Sequence, residues 1–433
     1  MINNIKLMVF CMLTNLAINF AYATQPDLTF DEIDKLLDKQ FKDKTDQIDA
    51  IYDAYSKAIE ESFKGASKKI SVKWPDDIRL PSKNTWVGYS KNLETRSVIN
   101  YEKGEVIIET KVESEALKVA KVKLDKMAKT LTSKNNSDIN ELDVFAKELN
   151  QNLRNKGIDV KHSKVAKFNP LNAVLPKKDV IINIAVEKLS VSNQEKSKEI
   201  NQEASEPIKI NTPSTQEKIV NSTLSKDTGV KLELIAKGDE SILRMSIKFV
   251  NDYQKVLMEQ NFDSVKQFSS QYGVPISIIL AIVETESSFN PRAVSAVPAF
   301  GLMQLVPKTA GIDAHNYVHG QKKVVSPEYL FDETNNLQLG TAYFKLLQSR
   351  YLRKIKDPLS RFYCAVASYN TGVGNLAKTF TGEKNLSKAA KTINQMSAEQ
   401  VYSHLLTYLP AQETRNYLKK IVARKSKYAH FDS

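Results

Sequence analysis

Apolar residues recur at helical spacing near the start of the chain and again through its second half, whereas short alternating runs occupy the region between them. Over residues 29–63 the three- and four-residue spacing predicts one or two amphipathic helices, with a capping box at residues 29–32. Alternation over residues 97–101 and 105–109 predicts two strands, joined by a turn at Lys103-Gly104. The first part of the chain is therefore expected to mix helices and strands.

The segments that follow continue this mixture. A charged helix is expected over residues 112–131, a further helix over about 138–155 and a strand over 180–186. Residues 190–227 are polar and lack helical or strand periodicity, which predicts a disordered insertion. Alternating apolar residues on both sides of Lys237-Gly-Asp-Glu240 predict a β-hairpin. If this hairpin pairs with the earlier strands, the insertion lies inside one small α+β domain.

Beyond about residue 251 the pattern is helical. Gly273 is expected to end one helix, and Pro275 to begin the strongly apolar helix that follows. Ser397 and Gln400 have the spacing of a capping box at the start of a later helix. The predicted fold class is α+β, with a small α+β N-terminal domain followed by a mostly α-helical domain.

The first 23 residues have the composition of a secretory signal peptide. Lys6 precedes an apolar core, and residues 21–23 (Ala-Tyr-Ala) precede the expected cleavage point. Cys11 lacks the small residues that would come before it in a lipidation motif. Its removal with the signal leaves Cys364 as the single cysteine, so no internal disulfide is expected. We expect a periplasmic protein, with outer-membrane association left open.

The formal net charge of +12 favours anionic partners. Export argues against nucleic acid, and the scattered basic residues are typical of a solvated surface. No later segment is long and apolar enough to predict a membrane span. Phospholipid surfaces and acidic cell-wall polymers therefore remain the expected anionic partners, and periplasmic cell-wall proteins are kept as further partners.

Several common catalytic arrangements are missing from the sequence. Among the histidines only His315 and His319 lie four residues apart, and they lack the glutamate of a zinc-protease motif. There is no Gly-x-Ser-x-Gly elbow and no phosphate-binding Gly-x-x-x-x-Gly-Lys loop. We therefore predict no metal and no cofactor, and carboxylate chemistry is what remains.

Two carboxylates, Glu284 and Glu286, follow the apolar run VPISIILAIV. On a helix these positions point in roughly opposite directions, about 200° apart, so one of them can face a cleft while the other meets solvent or a partner. Burial disfavours the charged form of a carboxylic acid and raises its pKa, as a general acid near neutrality requires. A solvated residue at the helix end is the alternative for either one, and the spacing does not choose between them.

Four segments occur in order over the second half of the chain: ETESSFNPRAVSAVPAFGLMQLVPKTAG, FDETNNLQLGTAYFKLL, CAVASYNTGVGN and ETRNYLKKI. Together they closely resemble the lysozyme-like catalytic domain of the soluble lytic transglycosylases. The glutamate-serine motif corresponds to Glu286-Ser287, the Gly-Leu-Met-Gln motif ends at Gln304, and the Ala-x-Tyr-Asn motif ends at Asn370. The resemblance therefore selects Glu286 as the catalytic residue.

The resemblance also implies a reaction on peptidoglycan glycan strands. Glu286 would protonate the β-1,4 glycosidic oxygen between N-acetylmuramic acid and N-acetylglucosamine, and would then accept the proton of the muramoyl C6 hydroxyl. The product would carry a 1,6-anhydro end, formed without water. This route needs no second catalytic carboxylate, unlike the usual glycosidase pair.

Further site residues follow from the same resemblance. Ser295 would hydrogen-bond Glu286, Gln304 would contact the sugar near the cleaved bond, and Tyr369 would lie near Glu286 or the acetamido group. Asn370 would brace that loop, and the cleft would be lined by Glu413 and Tyr417. Simpler roles stay open for four of these side chains: a turn serine at 295, a packing glutamine at 304, a core tyrosine at 369 and an exposed salt bridge at Glu413.

The N-terminal part, with Trp74, Trp86 and TRSVINYEKGEVIIET, is similar to the companion domain of the membrane-bound murein transglycosylase C group. Most members of that group are lipoproteins, and the polar insertion departs from their pattern. The expected order is a signal peptide (1–23), an amphipathic helical segment (24–65), an α+β companion domain (66–250) and a lysozyme-like transglycosylase domain (251–433). A non-catalytic wall-binding or scaffold protein and a lysozyme-type hydrolase are the alternatives.

Overall fold

The computed structural model describes residues 30–112, 117–132, 139, 141–158, 171–175, 218–224, 230–237, 240–295 and 298–432. The expected signal peptide, the first residue of the expected capping box at 29–32 and the expected strand over 180–186 lie outside these ranges. Residues 1–47 and 48–433 form two compact units, and the contacts given below belong to the second.

Six antiparallel strands form one sheet in the order β1-β2-β3-β6-β5-β4. The strands are β1 Thr85–Tyr89, β2 Thr95–Asn100, β3 Glu105–Val112, β4 Lys218–Leu224, β5 Val230–Lys237 and β6 Glu240–Lys248. The β2–β3 turn contains Gly104 at φ +62°, a conformation that glycine adopts at little cost. The two sequence-predicted hairpins are confirmed, and they pair with each other through β3 and β6.

Helices precede, interrupt and follow this sheet. Those of the first part are α1 Phe30–Ser71, α2 Leu117–Leu131, α3 Val144–Asn155 and the single turn α4 Leu171–Val174. Those of the second part are α5 Tyr253–Tyr272, α6 Ile276–Ser287, α7 Ile312–His319, α8 Pro327–Phe331, α9 Glu333–Leu346, α10 Pro358–Thr371, α11 Val373–Thr381, α12 Leu386–Ile393, α13 Ala398–Tyr408 and α14 Gln412–Tyr428. Short π-helical turns at Pro307–Gly311 and Leu347–Tyr351 and a 3-10 turn at Ala429–Phe431 complete the second part. The predicted α+β fold class, with a mostly helical second domain, is confirmed.

Three sequence expectations need correction. β4 lies inside the segment predicted to be a disordered insertion, because its hydrogen bonds come from β5 and its polar residues hide this pairing in the sequence. Val112 belongs to β3 and pairs with Ser241, so it does not begin the following helix. The helix expected over about 138–155 is interrupted at residues 141–143, and α3 begins after Asp143, whose carboxylate accepts a hydrogen bond from the Ala146 amide at 2.8 Å. The expected domain boundaries stay predictions.

A buried ion network fixes the segment between α1 and β1 to the sheet. Arg96 of β2 is 1% exposed and bonds Glu109 of β3 at 2.6 Å. Its guanidinium also pairs with the Asp77 carboxylate and lies 3.8 Å from the centre of the Trp74 ring. Farther along, the Tyr89 hydroxyl donates to the Arg79 carbonyl at 2.9 Å. This network holds residues 74–79 against the sheet, which brings the next residues toward the helical domain.

The helical domain is built around α6, which is apolar on all sides and buried between α5 and α14. Gly273 ends α5 at φ +60° and Pro275 precedes the first turn of α6, as the sequence predicts. None of the helices in the described ranges combines the length and apolar character that a membrane span requires.

Candidate active site

Helix α6 places two carboxylates at its C-terminal end. Its N-terminus is capped by a residue that is distant in sequence. The Asp432 carboxylate accepts a hydrogen bond from the Ser277 amide at 2.9 Å and another from the Ser277 hydroxyl. Its C-terminus is closed by Ser288 and Phe289 at φ +52° and +63°. Left-handed backbone at two successive non-glycine residues is strained, and such strain concentrates at functional sites.

Glu286 is 5% exposed, and the charges around it come from two separate parts of the chain. Burial raises the pKa of Glu286 to about 7, and the ammonium of Lys83 and the hydroxyl of Tyr417 act in the opposite direction. Lys83 Nζ lies 3.8 Å from Glu286 Oε2 and 3.5 Å from Glu413 Oε1. The Tyr417 hydroxyl is buried within electrostatic reach of Glu286 without completing a hydrogen bond of normal geometry. Near neutral pH this carboxyl group can therefore exist in either protonation state.

Glu284 has a different environment on the opposite face of α6. Its Oε1 pairs with Arg424 at 3.2 Å, and its Oε2 accepts from Lys427 at 3.1 Å and from the Tyr428 hydroxyl at 2.6 Å. All three partners lie on α14. A carboxylate with three charged or hydroxyl donors is a structural anchor, so the geometry separates the two glutamates that the spacing alone left equivalent.

The Gly-Leu-Met-Gln segment packs directly beside the end of α6. The Ser287 hydroxyl donates to the Leu302 carbonyl at 2.9 Å. Gly301 adopts φ +73°, and a Cβ there would collide with the Leu330 carbonyl and the Asn336 amide. Asn336 in turn donates to the Phe300 carbonyl at 2.8 Å. The motif therefore depends on glycine for a backbone approach that no larger residue allows.

Gln304, the last residue of that motif, has one end fixed and the other end open. Its Nε2 donates to the carbonyls of Ala293 and Gly301, each at 3.1 Å. Its Oε1 is buried without a hydrogen-bond partner among the described residues. Its backbone is also left-handed, with φ +47°. A buried acceptor on an oriented amide is suited to a donor brought by a ligand.

Tyr369 and Asn370 lie at the end of α10 and face the same region. The Tyr369 hydroxyl donates to the Met303 carbonyl at 2.9 Å. Burial and the nearby Glu286 charge raise the pKa of Tyr369 well above its ordinary value, so this phenol stays protonated. Asn370 Oδ1 accepts from the Thr414 hydroxyl at 2.7 Å, which joins the end of α10 to α14. Glu286, Gln304 and Tyr369 are thus brought together around one segment.

Glu413 and Ser295 complete the set of predicted site residues. Glu413 lies in the first turn of α14 with its side chain 75% exposed, and it pairs with Lys83. Ser295 lies in the loop after α6, where its amide donates to the Ala299 carbonyl at 3.2 Å. Its hydrogen bond to Glu286 stays a prediction.

A raised pKa alone does not identify the catalytic carboxyl. Burial and the neighbouring Asp332 raise the pKa of Glu333 to about 7 as well, with Arg292 opposing the shift. Glu333 begins α9 and acts electrostatically on Tyr101 of the sheet region. Glu286 differs from Glu333 in that two buried tyrosines with raised pKa, Tyr369 and Tyr417, interact with it electrostatically. Within the part of the chain that the structure describes, no group of three His, Cys, Asp or Glu side chains is placed to hold a metal ion.

Two residues of the site, Asn336 and Lys83, are not indicated by the sequence patterns. Asn336 lies inside a quoted motif, and its buried side chain also accepts from the Met303 amide at 2.8 Å. The asparagine pair at this point of the motif could have indicated such a backbone clamp. Lys83 carried no signal, because it is one of many lysines and belongs to the N-terminal region.

Two known families match two separate ranges of the chain. Residues 263–392 match the family described as transglycosylase SLT domain, and residues 37–159 match the membrane-bound lytic murein transglycosylase C N-terminal domain. The range similar to the murein transglycosylase C N-terminal domain therefore precedes the range similar to the SLT domain. The match includes Glu286, Gln304 and Tyr369 within the SLT domain and Lys83 within the N-terminal domain.

Curated relatives of this chain carry the name membrane-bound lytic murein transglycosylase C. The Haemophilus ducreyi protein is 38% identical over 43% of this chain and 50% of its own length. The Photorhabdus laumondii protein is 39% identical over 46% of this chain and 55% of its own length, and the Sodalis glossinidius protein 40% over 44% and 53%. The chain therefore spans about half the length of these relatives.

Solved lytic transglycosylases also resemble part of the chain. The Pseudomonas aeruginosa Slt structure is 24% identical with a TM-score of 0.30, covering 39% of this chain and 24% of that one. The 70 kDa soluble enzyme of Escherichia coli is 25% identical with a TM-score of 0.31, covering 41% and 26%.

Proposed function

We propose that the protein is a peptidoglycan lytic transglycosylase that cleaves the β-1,4 bond between N-acetylmuramic acid and N-acetylglucosamine. The single observation that carries this proposal is the buried Glu286 carboxyl group, whose pKa of about 7 allows both protonation states near neutral pH. Glu286 lies beside the Gly-Leu-Met-Gln segment, within the range that matches the transglycosylase SLT domain, and this match supports peptidoglycan as the substrate class. The curated relatives carry the same activity in their name.

The proposed reaction uses Glu286 twice. The protonated carboxyl donates its proton to the glycosidic oxygen as the bond from that oxygen to muramoyl C1 breaks, and the positive charge that develops at C1 is assisted by the substrate's N-acetyl group. The resulting carboxylate then takes the proton of the C6 hydroxyl as O6 bonds to C1. The products are a 1,6-anhydromuramoyl end and a free 4-hydroxyl on N-acetylglucosamine, with no water consumed.

The neighbours of Glu286 suit this cycle. The open Oε1 of Gln304 is an acceptor for a sugar hydroxyl or amide near the cleaved bond. Tyr369 stays protonated and, through its bond to the Met303 carbonyl, is fixed in orientation next to Glu286. Glu413 and Tyr417 line the groove from α14, and Ser295 orients the carboxyl group. Because one residue serves both steps, a second catalytic carboxylate of the retaining or inverting type is not needed.

The test is the variant Glu286→Gln on purified peptidoglycan sacculi. Glutamine keeps the shape of the side chain but cannot donate and reclaim a proton, so we expect the rate to fall by about 10² to 10⁴, while binding of the sacculi persists. Mass spectrometry of the released muropeptides measures both rate and product. Full activity in this variant would place the catalyst elsewhere.

The products separate the alternatives. A lysozyme-type hydrolase yields reducing muramic ends that are heavier by one water than the anhydro ends. A scaffold protein yields no soluble product from wild-type protein, although it still sediments with sacculi. Only anhydro ends that disappear with Glu286→Gln support the proposal.

The proposal includes the setting of the reaction. The names of the curated relatives and the expected signal peptide both support a periplasmic location on the cell envelope. Peptidoglycan glycan strands are the proposed partner, and the four-part domain order given above is proposed with them.

A further inference from the structure

The segment before β1 reaches from the sheet region into the candidate active site. The Lys83 carbonyl accepts a hydrogen bond from the Asn290 side chain at 3.1 Å, and the Ser82 carbonyl accepts from the Val294 amide at 3.4 Å. Both donors belong to the loop that follows α6. The N-terminal region is therefore attached to the same loop that closes the helix carrying Glu286.

This segment is also fixed on its other side. The Tyr101 amide donates to the Asn84 carbonyl at 2.9 Å, and the Ser82 amide donates to the Thr85 carbonyl at 2.9 Å. Asp77 and Arg79, a few residues before Lys83, are held against the sheet by Arg96 and Tyr89. Because Ser82 is bonded to β1 and Asn84 to the residue that follows β2, the backbone of Lys83 is fixed to the sheet, while its own carbonyl is bonded to the loop after α6.

The side chain of Lys83 extends from this anchored backbone to two carboxylates. Its ammonium lies 3.8 Å from Glu286 Oε2 and 3.5 Å from Glu413 Oε1, and its side chain is 37% exposed. The two carboxylates differ in exposure, since Glu286 is buried and Glu413 is open to solvent. A cation that bridges a buried and an exposed carboxylate acts mainly on the buried one, where water screens the charge least.

We infer that Lys83, contributed by the N-terminal domain, is a positioning residue for Glu286 that stabilises its ionised form during turnover. The inference rests on the proposed function and adds to it the residue that sets the charge balance of the acid/base group. When Glu286 gives its proton to the leaving oxygen, a negative charge appears in a buried site. A preorganised ammonium less than 4 Å away stabilises that charge without moving.

The groups facing Glu286 determine what removal of Lys83 does. Lys83 approaches from the segment before β1, Tyr369 from α10, and Tyr417 and Glu413 from α14. Burial and Glu413 raise the pKa of Glu286, whereas the Lys83 ammonium lowers it. Removing Lys83 therefore weakens the opposition to the two effects that raise this pKa. The ionised form of Glu286 then becomes less stable, so its pKa rises further. Since the first step needs the protonated form, kcat/KM falls as pH increases through this pKa.

The experiment compares Lys83→Met with Lys83→Arg, measuring pH-rate profiles for soluble uncross-linked glycan strands. In Lys83→Met we expect kcat to fall about tenfold, while KM changes little; this is less than the loss for a buried oxyanion donor, because the Lys83 side chain is 37% exposed. The alkaline limb of kcat/KM should move to higher pH. Arginine keeps the charge and should restore both values. Lys91→Met, which removes an exposed lysine from the turn between β1 and β2, is the matched control and should leave the profile unchanged.

A second readout does not depend on turnover. The side-chain carboxyl of Glu286 can be titrated by ¹³C NMR in glutamate-labelled protein, and its resonance is assigned by its absence in Glu286→Gln, which separates it from Glu333. Lys83→Met should raise the Glu286 titration midpoint. An unchanged midpoint, or a kcat loss without a displaced limb, overturns the inference. If wild-type protein releases no anhydro product, the proposed function fails, while the NMR titration still decides the role of Lys83.

Discussion

Helix α6 carries a glutamate on each of two faces, two residues apart, and the surroundings of the two side chains differ. On one face, Glu284 meets Arg424, Lys427 and the Tyr428 hydroxyl, so its charge is neutralised within α14. On the other face, Glu286 is equally buried but has one lysine at 3.8 Å and a tyrosine hydroxyl that completes no bond. Burial with full pairing makes an anchor, whereas burial with partial pairing keeps a proton available near neutral pH.

Because the two glutamates are paired to different extents, replacing each by glutamine should have opposite effects on the free energy of unfolding. The larger effect is expected at Glu286. Its pKa is 4.5 in the unfolded chain and about 7 in the fold, so the folded state binds the proton more tightly. Stability is therefore lost as pH rises from about 4.5 to 7, by an amount of about 3 kcal/mol. Glu286→Gln should remove this loss and be more stable than wild type above pH 7.

Urea unfolding at pH 4 and pH 8 measures this effect. The two proteins should have nearly the same free energy of unfolding at pH 4 and should diverge at pH 8, with the variant more stable. A difference that is constant with pH would contradict the assignment of the raised pKa to Glu286.

Parts of this contrast were predictable from sequence, and they are the local parts. The turn at Lys103-Gly104, the end of α5 at Gly273 and the start of α6 after Pro275 each depend on the conformation of one or two residues. The motif resemblance located Glu286, Gln304 and Tyr369 because each stands in a short ordered segment. In each case the controlling residues are neighbours in the sequence.

The rest depends on contacts between distant parts of the chain. β4 was hidden because its polar sequence forms a strand only when β5 supplies the hydrogen bonds. The choice between Glu284 and Glu286 is made by α14, whose basic residues resemble any solvated helix face when read alone. Lys83 lies 3.8 Å from Glu286 Oε2, in a segment whose preceding residues are held by the ion network around Arg96. Neither spacing nor composition contains these arrangements.

The second prediction concerns Glu284→Gln, which should destabilise the protein while retaining activity. Glutamine leaves Arg424 and Lys427 without a counter-charge, but both are partly exposed and can be solvated. We therefore expect a loss of about 1 to 2 kcal/mol in the free energy of unfolding, below the cost of breaking a fully buried pair. At a temperature where the variant is folded, the muropeptide release rate should stay within a few-fold of wild type. A loss as large as that of Glu286→Gln would mean that both faces of α6 take part in catalysis.

The smallest effects should come from two tyrosines of α14, one on each face. The Tyr417 hydroxyl favours the ionised form of Glu286, so Tyr417→Phe should raise the pKa of Glu286, move the alkaline limb of kcat/KM to higher pH and lower kcat a few-fold. The Tyr428 hydroxyl bonds Glu284 at 2.6 Å, so Tyr428→Phe should cost about 1 kcal/mol of stability and leave the pH profile in place. Paired pH-rate and unfolding measurements separate them. If both variants displaced the limb equally, the two faces of α6 would be electrostatically coupled, and the distinction between anchor and catalyst would be wrong.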